Sequence, residues 1–305
     1  MSVAAAIGTF DGMHRGHQAL LQHLVGEARR RGMSTRVITF DRHPLSVVAP
    51  AACPPLIDDD ATRIGRVSDF PGIDAVQVLS FDSRTAAMTA RDFLQHMAAS
   101  GIGLLLMGHD SRFGSDMPRD IETYARIAEE FGIEVIEGDV LLDTDGRPVS
   151  SSAIRSALRD GDVDSATRML GRHFALKGSV VSGRRQGRTI GFPTANVAVD
   201  DSLIMPAPGV YAAIASADTF PEPLPAMVNI GCCPTFTDGS RQTVEAHIIG
   251  WDGDLYGKTM QLEFVEHLRD ERRFSSADAL VHQLDIDRSN VLSILKENIY
   301  HSQAQ

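Results

Sequence analysis

The chain has 305 residues, which is too long for one ordinary hydrophobic core and about right for two domains. No apolar run approaches the ~20 residues of a membrane span, and the N-terminus lacks the basic and hydrophobic regions of an export signal, so we expect no membrane partner. The net charge of −11 opposes a nucleic-acid partner, and the three cysteines (Cys53, Cys232 and Cys233) lack the spacing of a zinc site or a disulfide framework, which favours a reducing, cytoplasmic location.

The first half of the chain alternates short apolar runs with longer amphipathic ones, the pattern of a parallel α/β sheet. Strands are predicted at residues 3–8, 35–40, 74–81, 102–108 and 133–138. A helix is predicted from His17 to Arg31, and another from Pro118 to Phe131, with the proline in its first turn and Gly132 as its C-terminal cap. The order of these elements predicts a doubly wound, Rossmann-like sheet.

The second half has the spacing of antiparallel strands. Residues 150–172 contain two short helical patterns and form a predicted linker. In residues 242–250 apolar side chains alternate with Glu245 and His247, which share the opposite face of a strand. A closed barrel would remove the exposed edges of such strands. Residues 275–298 return to helical spacing, and this helix is predicted to pack across the barrel.

A segment rich in glycine and histidine follows the first strand. Thr9 and Phe10 fall at the carboxyl end of that strand, where open α/β sheets bind ligands. His14 and His17 flank Gly16 at the start of the first helix, whose free N–H groups and dipole favour a phosphate. Two imidazole donors there would stabilise the charge that develops when a nucleophile attacks the α-phosphate of ATP. The motif alone also permits two surface histidines in a glycine-rich loop.

Further motifs extend over nearly the whole chain. In the first half they are GTFDGMHRGHQALL, FDRHP, MGHDSRFG and VSSSAIRSAL. In the second half they are GRTIGFPTANV, PGVYAA, VNIGCCPTF, VEAHIIGWDGDLYGK and FVEHLRDERRF. In content and order these motifs resemble those of the bacterial bifunctional riboflavin kinase/FAD synthetase family. The resemblance implies an adenylyltransferase domain of the H-x-G-H nucleotidylyltransferase superfamily over residues 1–160, linker helices to about residue 172, and a flavokinase β-barrel with a C-terminal helix over residues 173–305.

The resemblance implies two reactions, both using Mg²⁺. Riboflavin and ATP give FMN and ADP, and FMN and ATP then give FAD and pyrophosphate. The expected partners are therefore the small molecules riboflavin, FMN and ATP. The chain is expected to act as a monomer or a weak homo-oligomer.

For the first domain, the resemblance implies that His14, His17 and Arg155 act on the ATP phosphates. Further phosphate-binding residues are implied to be Gly8, Thr9, Phe10, Gly16, Ser151 and Ser152. Flavin-binding residues are implied to be Phe40, His43, Pro44, Asp110 and Phe113. Serines at a helix start offer hydroxyl and N–H groups, and an arginine one turn later can bind phosphate oxygens with two nitrogens. Helix capping is the alternative for the serines, and a core position is the alternative for Phe113.

For the second domain, the resemblance makes Glu245 the base that takes the proton from the riboflavin 5′-hydroxyl; the alternative is an exposed strand glutamate. Thr194 and Asn196 are hard oxygen donors suited to Mg²⁺, or else part of a turn without a ligand. Other ATP-binding residues are implied to be Gly187, Arg188 and Thr189, in a segment that lacks the ending of a P-loop and is interpreted as a flexible loop over ATP. The flavin-binding residues are implied to be Asn229, Pro234, Thr235 and Arg269.

Some positions depart from the family pattern. Ser111 replaces a phenylalanine, Ala153 an arginine and Arg42 a proline, and residues 56–74 depart from the usual helix. If the segment after the fourth strand keeps a strand's alternation, Ser111 and Phe113 face the same side. Alternative functions are a riboflavin kinase with a weakened or repurposed first domain, and a non-catalytic flavin-binding regulator. The H-x-G-H motif alone also suggests a class I aminoacyl-tRNA synthetase fragment, which the acidic charge opposes.

Overall fold

A computed structural model of the chain describes residues 2–183, 186–232 and 242–302, in two compact units, Met1–Ala153 and Ile154–Gln305. The helices are α1 (Arg15–Arg31), α2 (Leu45–Val48), α3 (Asp60–Ser68), α4 (Ser83–Ala87), α5 (Ala90–Ala99), α6 (Ile121–Glu129), α7 (Ser151–Arg159), α8 (Val163–Leu170), α9 (Gln186–Thr189) and α10 (Ala277–Ser302). The strands are β1 (Val3–Ile7), β2 (Ser34–Phe40), β3 (Ala75–Leu79), β4 (Ile102–Met107), β5 (Glu134–Glu137), β6 (Phe174–Val181), β7 (Ala195–Val199), β8 (Gly209–Ala217), β9 (Leu224–Cys232), β10 (Gln242–Ile248) and β11 (Thr259–Arg269). Within these described ranges, no helix is both long enough and apolar enough to span a bilayer.

The first unit is a parallel sheet in the order β3-β2-β1-β4-β5. The central strand β1 is buried along its whole length, as expected of a strand covered on both faces. Helices α1 and α3 supply the core on one face, and α5 and α6 supply the core on the other. The five predicted strands and the doubly wound order are confirmed. The strand order reverses between β1 and β4, so the loop after β1 lies at the position where such sheets bind ligands.

Local hydrogen bonds set the helix ends. α1 ends at Arg31, as predicted, and Gly32 caps it in a left-handed conformation (φ 65°). The predicted start of α6 at Pro118 is wrong, because the Asp120 side chain accepts from the N–H of Thr123 and begins the helix at Ile121. The chain also forms a helix, α3, within the segment that departs from the family pattern.

The second unit is a closed antiparallel barrel in the order β10-β7-β6-β11-β8-β9, and β9 pairs with β10 to close it. The predicted alternation is confirmed on β10, where Val244, Ala246 and Ile248 are buried. α10 packs on β8, β9 and β11, with Val291 and Leu295 buried against barrel residues. The predicted C-terminal helix across the barrel is therefore confirmed.

Candidate active sites

The loop after β1 has an unusual backbone. Phe10 (φ 52°) and Met13 (φ 37°) adopt left-handed conformations although neither is glycine. Both side chains are buried, at 1% and 4% exposure. Such conformations cost energy in residues with a Cβ and persist where surrounding contacts impose them, most often at functional sites. The loop shape is therefore held by its neighbours.

The two histidines of the motif stack on each other at the start of α1. Their ring centroids are 3.6 Å apart at an interplanar angle of 20°. His14 is the N-cap, and its Nδ1 accepts from the backbone N–H of His17 at 3.3 Å, which places the proton of a neutral His14 ring on Nε2. Nδ1 of His17 is inaccessible to solvent and has no hydrogen-bond partner among the described residues.

The electrostatic state of His17 follows from this packing. Burial lowers the pKa of His17 well below its usual value, and the neighbouring His14 lowers it further. The edge of the Phe10 ring contacts the same imidazole, with centroids 5.2 Å apart. His17 is therefore a neutral imidazole at physiological pH.

Gly16 allows a second chain segment to approach the histidine loop. A Cβ at this position would lie 2.9 Å from the carbonyl oxygen of Val149. Shortly after Val149, the hydroxyl of Ser151 donates to the Asp11 carbonyl oxygen at 2.9 Å. This contact joins the start of α7 to the predicted phosphate loop. Ser152 is exposed, and Arg155, one turn further along α7, is buried at 6% exposure.

Gly8, predicted as the last residue of the first strand, and Thr9 both lie directly after β1, and the N–H of Gly8 donates to the Ile38 carbonyl at 3.1 Å. The predicted flavin-binding residues His43 and Pro44 follow β2. Nδ1 of His43 accepts from the N–H of Leu45 at 3.2 Å, and Pro44 precedes α2.

Of two predicted flavin-binding residues, Phe40 is buried in the core, and Phe113 is half-buried and packs against the core. Phe40 is 7% exposed and meets the edge of Phe81 at 5.1 Å between centroids. Phe113 packs between Phe93 and Tyr124, at 5.3 Å and 4.6 Å between centroids. The Tyr124 hydroxyl also donates to the Phe113 carbonyl oxygen at 2.7 Å.

The segment after β4 does not keep the alternation of a strand. The N–H of Ser111 donates to the Gly108 carbonyl at 2.9 Å, so the chain turns here. The Ser111 hydroxyl lies beside Gly108, whereas Phe113 packs into the core cluster that contains Tyr124. The expectation that Ser111 and Phe113 face the same side is therefore wrong. Asp110 is exposed within this turn.

The second unit contains a cavity of about 380 Å³, lined by five of the residues predicted for its site. These are Gly187, Thr194, Asn229, Glu245 and Arg269. Strand register brings further predicted residues together, because Glu245 on β10 lies opposite Asn196 on β7 and Asn229 on β9. Residues directly opposite on neighbouring strands have Cβ atoms about 4.5–5.5 Å apart. The sheet therefore presents a carboxylate flanked by two amides.

His247 is a cavity residue that the sequence analysis placed on the Glu245 face without a role. Its Nδ1 donates to the Pro193 carbonyl oxygen at 2.9 Å, directly before Thr194. Burial lowers the pKa of His247, Arg288 lowers it further, and the Pro193 hydrogen bond offsets part of that shift. The ring is thus neutral and ties β10 to the segment that carries Thr194. The sequence could have indicated this position, because His247 is two residues after Glu245 and so lies on the same face of the strand.

The segment before Thr194 is compact. The N–H of Phe192 donates to the Gly187 carbonyl at 2.9 Å, and a Cβ on Gly187 would collide with the Phe192 carbonyl oxygen. Gln186–Thr189 form one turn of helix. The interpretation of this segment as a flexible loop over ATP stays a prediction. Arg188 and Thr189 are exposed.

Arg269 lines the cavity but binds Asp287 on α10. Its Nη2 donates to Oδ2 of Asp287 at 2.8 Å and its Nε to the same oxygen at 3.0 Å. Asp287 is 1% exposed, so its carboxylate is buried. Nearby, the Asn229 amide donates to Oε1 of Glu271 at 3.2 Å. The predicted residues Pro234 and Thr235 lie outside the described residues.

Two protein families match this chain, one over each of the two units that contain the candidate sites. A family described as riboflavin kinase matches residues 170–295, and one described as FAD synthetase matches residues 1–153. The bifunctional riboflavin kinase/FMN adenylyltransferase of Escherichia coli (strain K12) is 36% identical over 92% of this chain and 89% of its own length. The enzyme of the same name from Bacillus subtilis (strain 168) is 30% identical over 94% of this chain and 90% of its own length.

A solved structure has the same fold over nearly the full length. It is named Macrolide-efflux Protein from Streptococcus pneumoniae, with a TM-score of 0.81, 32% identity and coverage of 94% of this chain and 93% of that one. The two family matches and the relatives favour two flavin-directed activities over a regulator, a weakened first domain or a synthetase fragment. The chain belongs to the bifunctional riboflavin kinase/FMN adenylyltransferase family, and it converts riboflavin to FMN and FMN to FAD, with ATP as the second substrate of both steps.

Proposed function

We propose that Glu245 is the general base of the kinase step. The observation that carries this proposal is the register of β10, which presents Glu245 to the cavity between Asn196 and Asn229. The carboxylate takes the proton of the riboflavin 5′-hydroxyl as that oxygen attacks the γ-phosphorus of ATP, and ADP leaves. His247 supports this geometry, because it binds the Pro193 carbonyl from the same strand.

Thr194 and Asn196 are proposed to hold Mg²⁺. No group of three or more His, Cys, Asp or Glu side chains suited to a metal occurs in the described part of the chain. Mg²⁺ commonly takes only one or two protein oxygens together with substrate phosphates and water, and a hydroxyl and an amide oxygen fit that requirement. Thr194 lines the cavity, and Asn196 lies beside Glu245 in the strand register. When bound, the ion would neutralise charge on the transferred phosphoryl group.

The loop that contains His14 and His17 is proposed to bind the ATP phosphates in the adenylyl step. An FMN phosphate oxygen attacks the α-phosphorus of ATP, and the bond to pyrophosphate breaks. The neutral His17 ring and the N–H groups at the start of α1 donate to the phosphoryl oxygens, where negative charge increases. Arg155 and Ser152 are proposed as further phosphate ligands, while Ser151 holds the loop through the Asp11 carbonyl.

Flavin contacts are proposed on both units separately. In the barrel, Asn229 and Arg269 lie on the cavity wall beside Glu245. In the first unit, His43, Pro44 and Asp110 are the proposed direct contacts. Phe40 and Phe113 act there by packing beneath the site, because both rings lie against the core. A cytoplasmic location, the absence of nucleic-acid and membrane partners, and a monomeric or weakly oligomeric state stay predictions.

The test is a time course with riboflavin and Mg-ATP in which riboflavin, FMN and FAD are separated by chromatography. FMN is expected to rise first and FAD to follow. Thr194→Val keeps the side-chain shape, removes the oxygen donor, and should raise the Mg²⁺ concentration needed for FMN formation. Flavin binding without turnover would contradict the enzymatic assignment, and an unchanged Mg²⁺ requirement would remove Thr194 from the proposed metal site.

A further inference from the structure

Arg63 in α3 is a buried cation beside the phosphate loop. The residue is 3% exposed, and it lies in residues 56–74, the segment that departs from the usual family helix. Its side chain contacts Asp60, a carboxylate that is itself 42% exposed. A buried charge is costly unless its hydrogen bonds are satisfied, so the partners of the guanidinium are informative.

The guanidinium binds the ends of two neighbouring strands. Nη1 donates to the Thr9 carbonyl oxygen at 2.8 Å and to the Thr39 hydroxyl at 2.6 Å. Nη2 donates to the Phe40 carbonyl oxygen at 2.6 Å. Thr9 follows β1 and Phe40 ends β2, so both carbonyls lie where the strands pass into the site loops. The planar fork thus places two nitrogens on three acceptors of the two strands, an arrangement that a single ammonium nitrogen does not reproduce.

The same segment holds the loop at a second point. The carboxylate of Asp11 accepts from the N–H groups of Ile57 and Asp58, at 2.9 Å and 3.3 Å. Residues 57–63 therefore bind the loop on both sides of Phe10, whose left-handed backbone (φ 52°) needs external support.

We propose that Arg63 is a positioning residue for FMN adenylylation, because its contact with Thr9 keeps the loop in the shape that presents His14 and His17. This inference rests on the proposed function of that loop. Arg63 touches neither substrate in this scheme; it acts through the backbone. A small misplacement of catalytic groups can cost about 10²-fold in rate.

The decisive variant is Arg63→Lys, which keeps the charge but replaces the two donor nitrogens of the fork by one. We expect kcat for FMN to FAD to fall about 10- to 100-fold, with little change in the KM for FMN and none in riboflavin phosphorylation by the same sample. Amide exchange of a peptide covering residues 8–14 should accelerate, while exchange in α6 stays as in the unchanged protein. Arg63→Met should give a larger loss of kcat.

Two matched controls separate positioning from stability. Val67→Ala removes buried methyl groups from the same helix but no hydrogen bond to the loop, and Asp60→Asn removes the exposed carboxylate. Both should keep kcat for adenylylation at a temperature well below unfolding. Equal kcat losses in Val67→Ala and Arg63→Lys, or unchanged loop exchange in Arg63→Lys, would overturn the inference. If Arg63→Met unfolds, the comparison of Arg63→Lys with Val67→Ala still tests the inference. If the protein without substitutions makes no FAD, the proposed function of the loop is refuted instead.

Discussion

The two candidate sites position their groups in different ways. In the barrel, Glu245, Asn196 and Asn229 come together because paired strands place opposite residues side by side. In the first unit, the histidine loop lies outside the strand ladder, and contacts from Arg63 and Ser151 hold its backbone. Strand register is built from many repeated hydrogen bonds, whereas the loop depends on a few contacts. We therefore expect the barrel site to be sensitive mainly to its own side chains and the loop site to its supports as well.

The largest effect is expected from Glu245→Gln, which removes the base and keeps the shape. Formation of FMN should fall by about 10²- to 10⁴-fold, the usual contribution of a general base. Added FMN should still give FAD at the normal rate, because the adenylyl site has its own residues. Chromatography of both reactions checks this. A comparable loss in the adenylyl step would show that the two sites are not separable in this way.

His17→Ala tests the loop site of the first unit. Loss of one donor to a developing oxyanion typically costs about 10²- to 10³-fold, so the reaction should stop at FMN. Rates of riboflavin phosphorylation serve as the control on the same sample. A normal rate of FAD formation would remove His17 from the phosphate site.

Asp287→Ala tests how much the buried ion pair between Asp287 and Arg269 stabilises the barrel unit. It leaves the Arg269 guanidinium, 17% exposed, without its buried partner, and breaking a buried pair costs about 3 kcal/mol or more. The matched control is Asp285→Ala on the same helix, whose pair with Arg288 is largely exposed and contributes at most about 1 kcal/mol. Chemical denaturation followed by the fluorescence of Trp251 measures both. Equal effects would mean that Asp287 has no special role.

The smallest effect is a pH dependence of the first unit. The pKa of folded His17 lies below that of the unfolded chain, so the unfolded state takes up the proton first as pH falls. Stability is therefore full above about pH 6.5 and is lost below it, by up to about 1.4 kcal/mol per pH unit until the folded pKa is reached. Hydrogen exchange of α1 between pH 7 and 5, corrected for intrinsic rates, measures the loss. His17→Gln should flatten the curve, and an identical slope in this variant would contradict the assignment.

Much of the fold could be predicted from local patterns. Strands β1 and β4 are nearly continuous apolar runs, and in β10 polar and apolar residues alternate. The faces that these strands bury therefore follow from the directions in which their side chains point. The placement of Glu245 on the polar face follows from the same rule. Helix boundaries were less accurate, since α6 begins at Ile121, after the N-cap Asp120, and not at Pro118.

The sequence by itself determined the two fold classes and which residue types carry the chemistry, because both depend on periodicity and short motifs. Only the tertiary structure decided that Phe113 packs against the core, that Arg269 binds Asp287, and that Arg63 contacts the phosphate loop. The contact between Arg63 and Thr9 joins residues 54 positions apart. Such a pairing has no local signature, since it exists only after α3 packs on the sheet and brings the guanidinium to two strand ends at once.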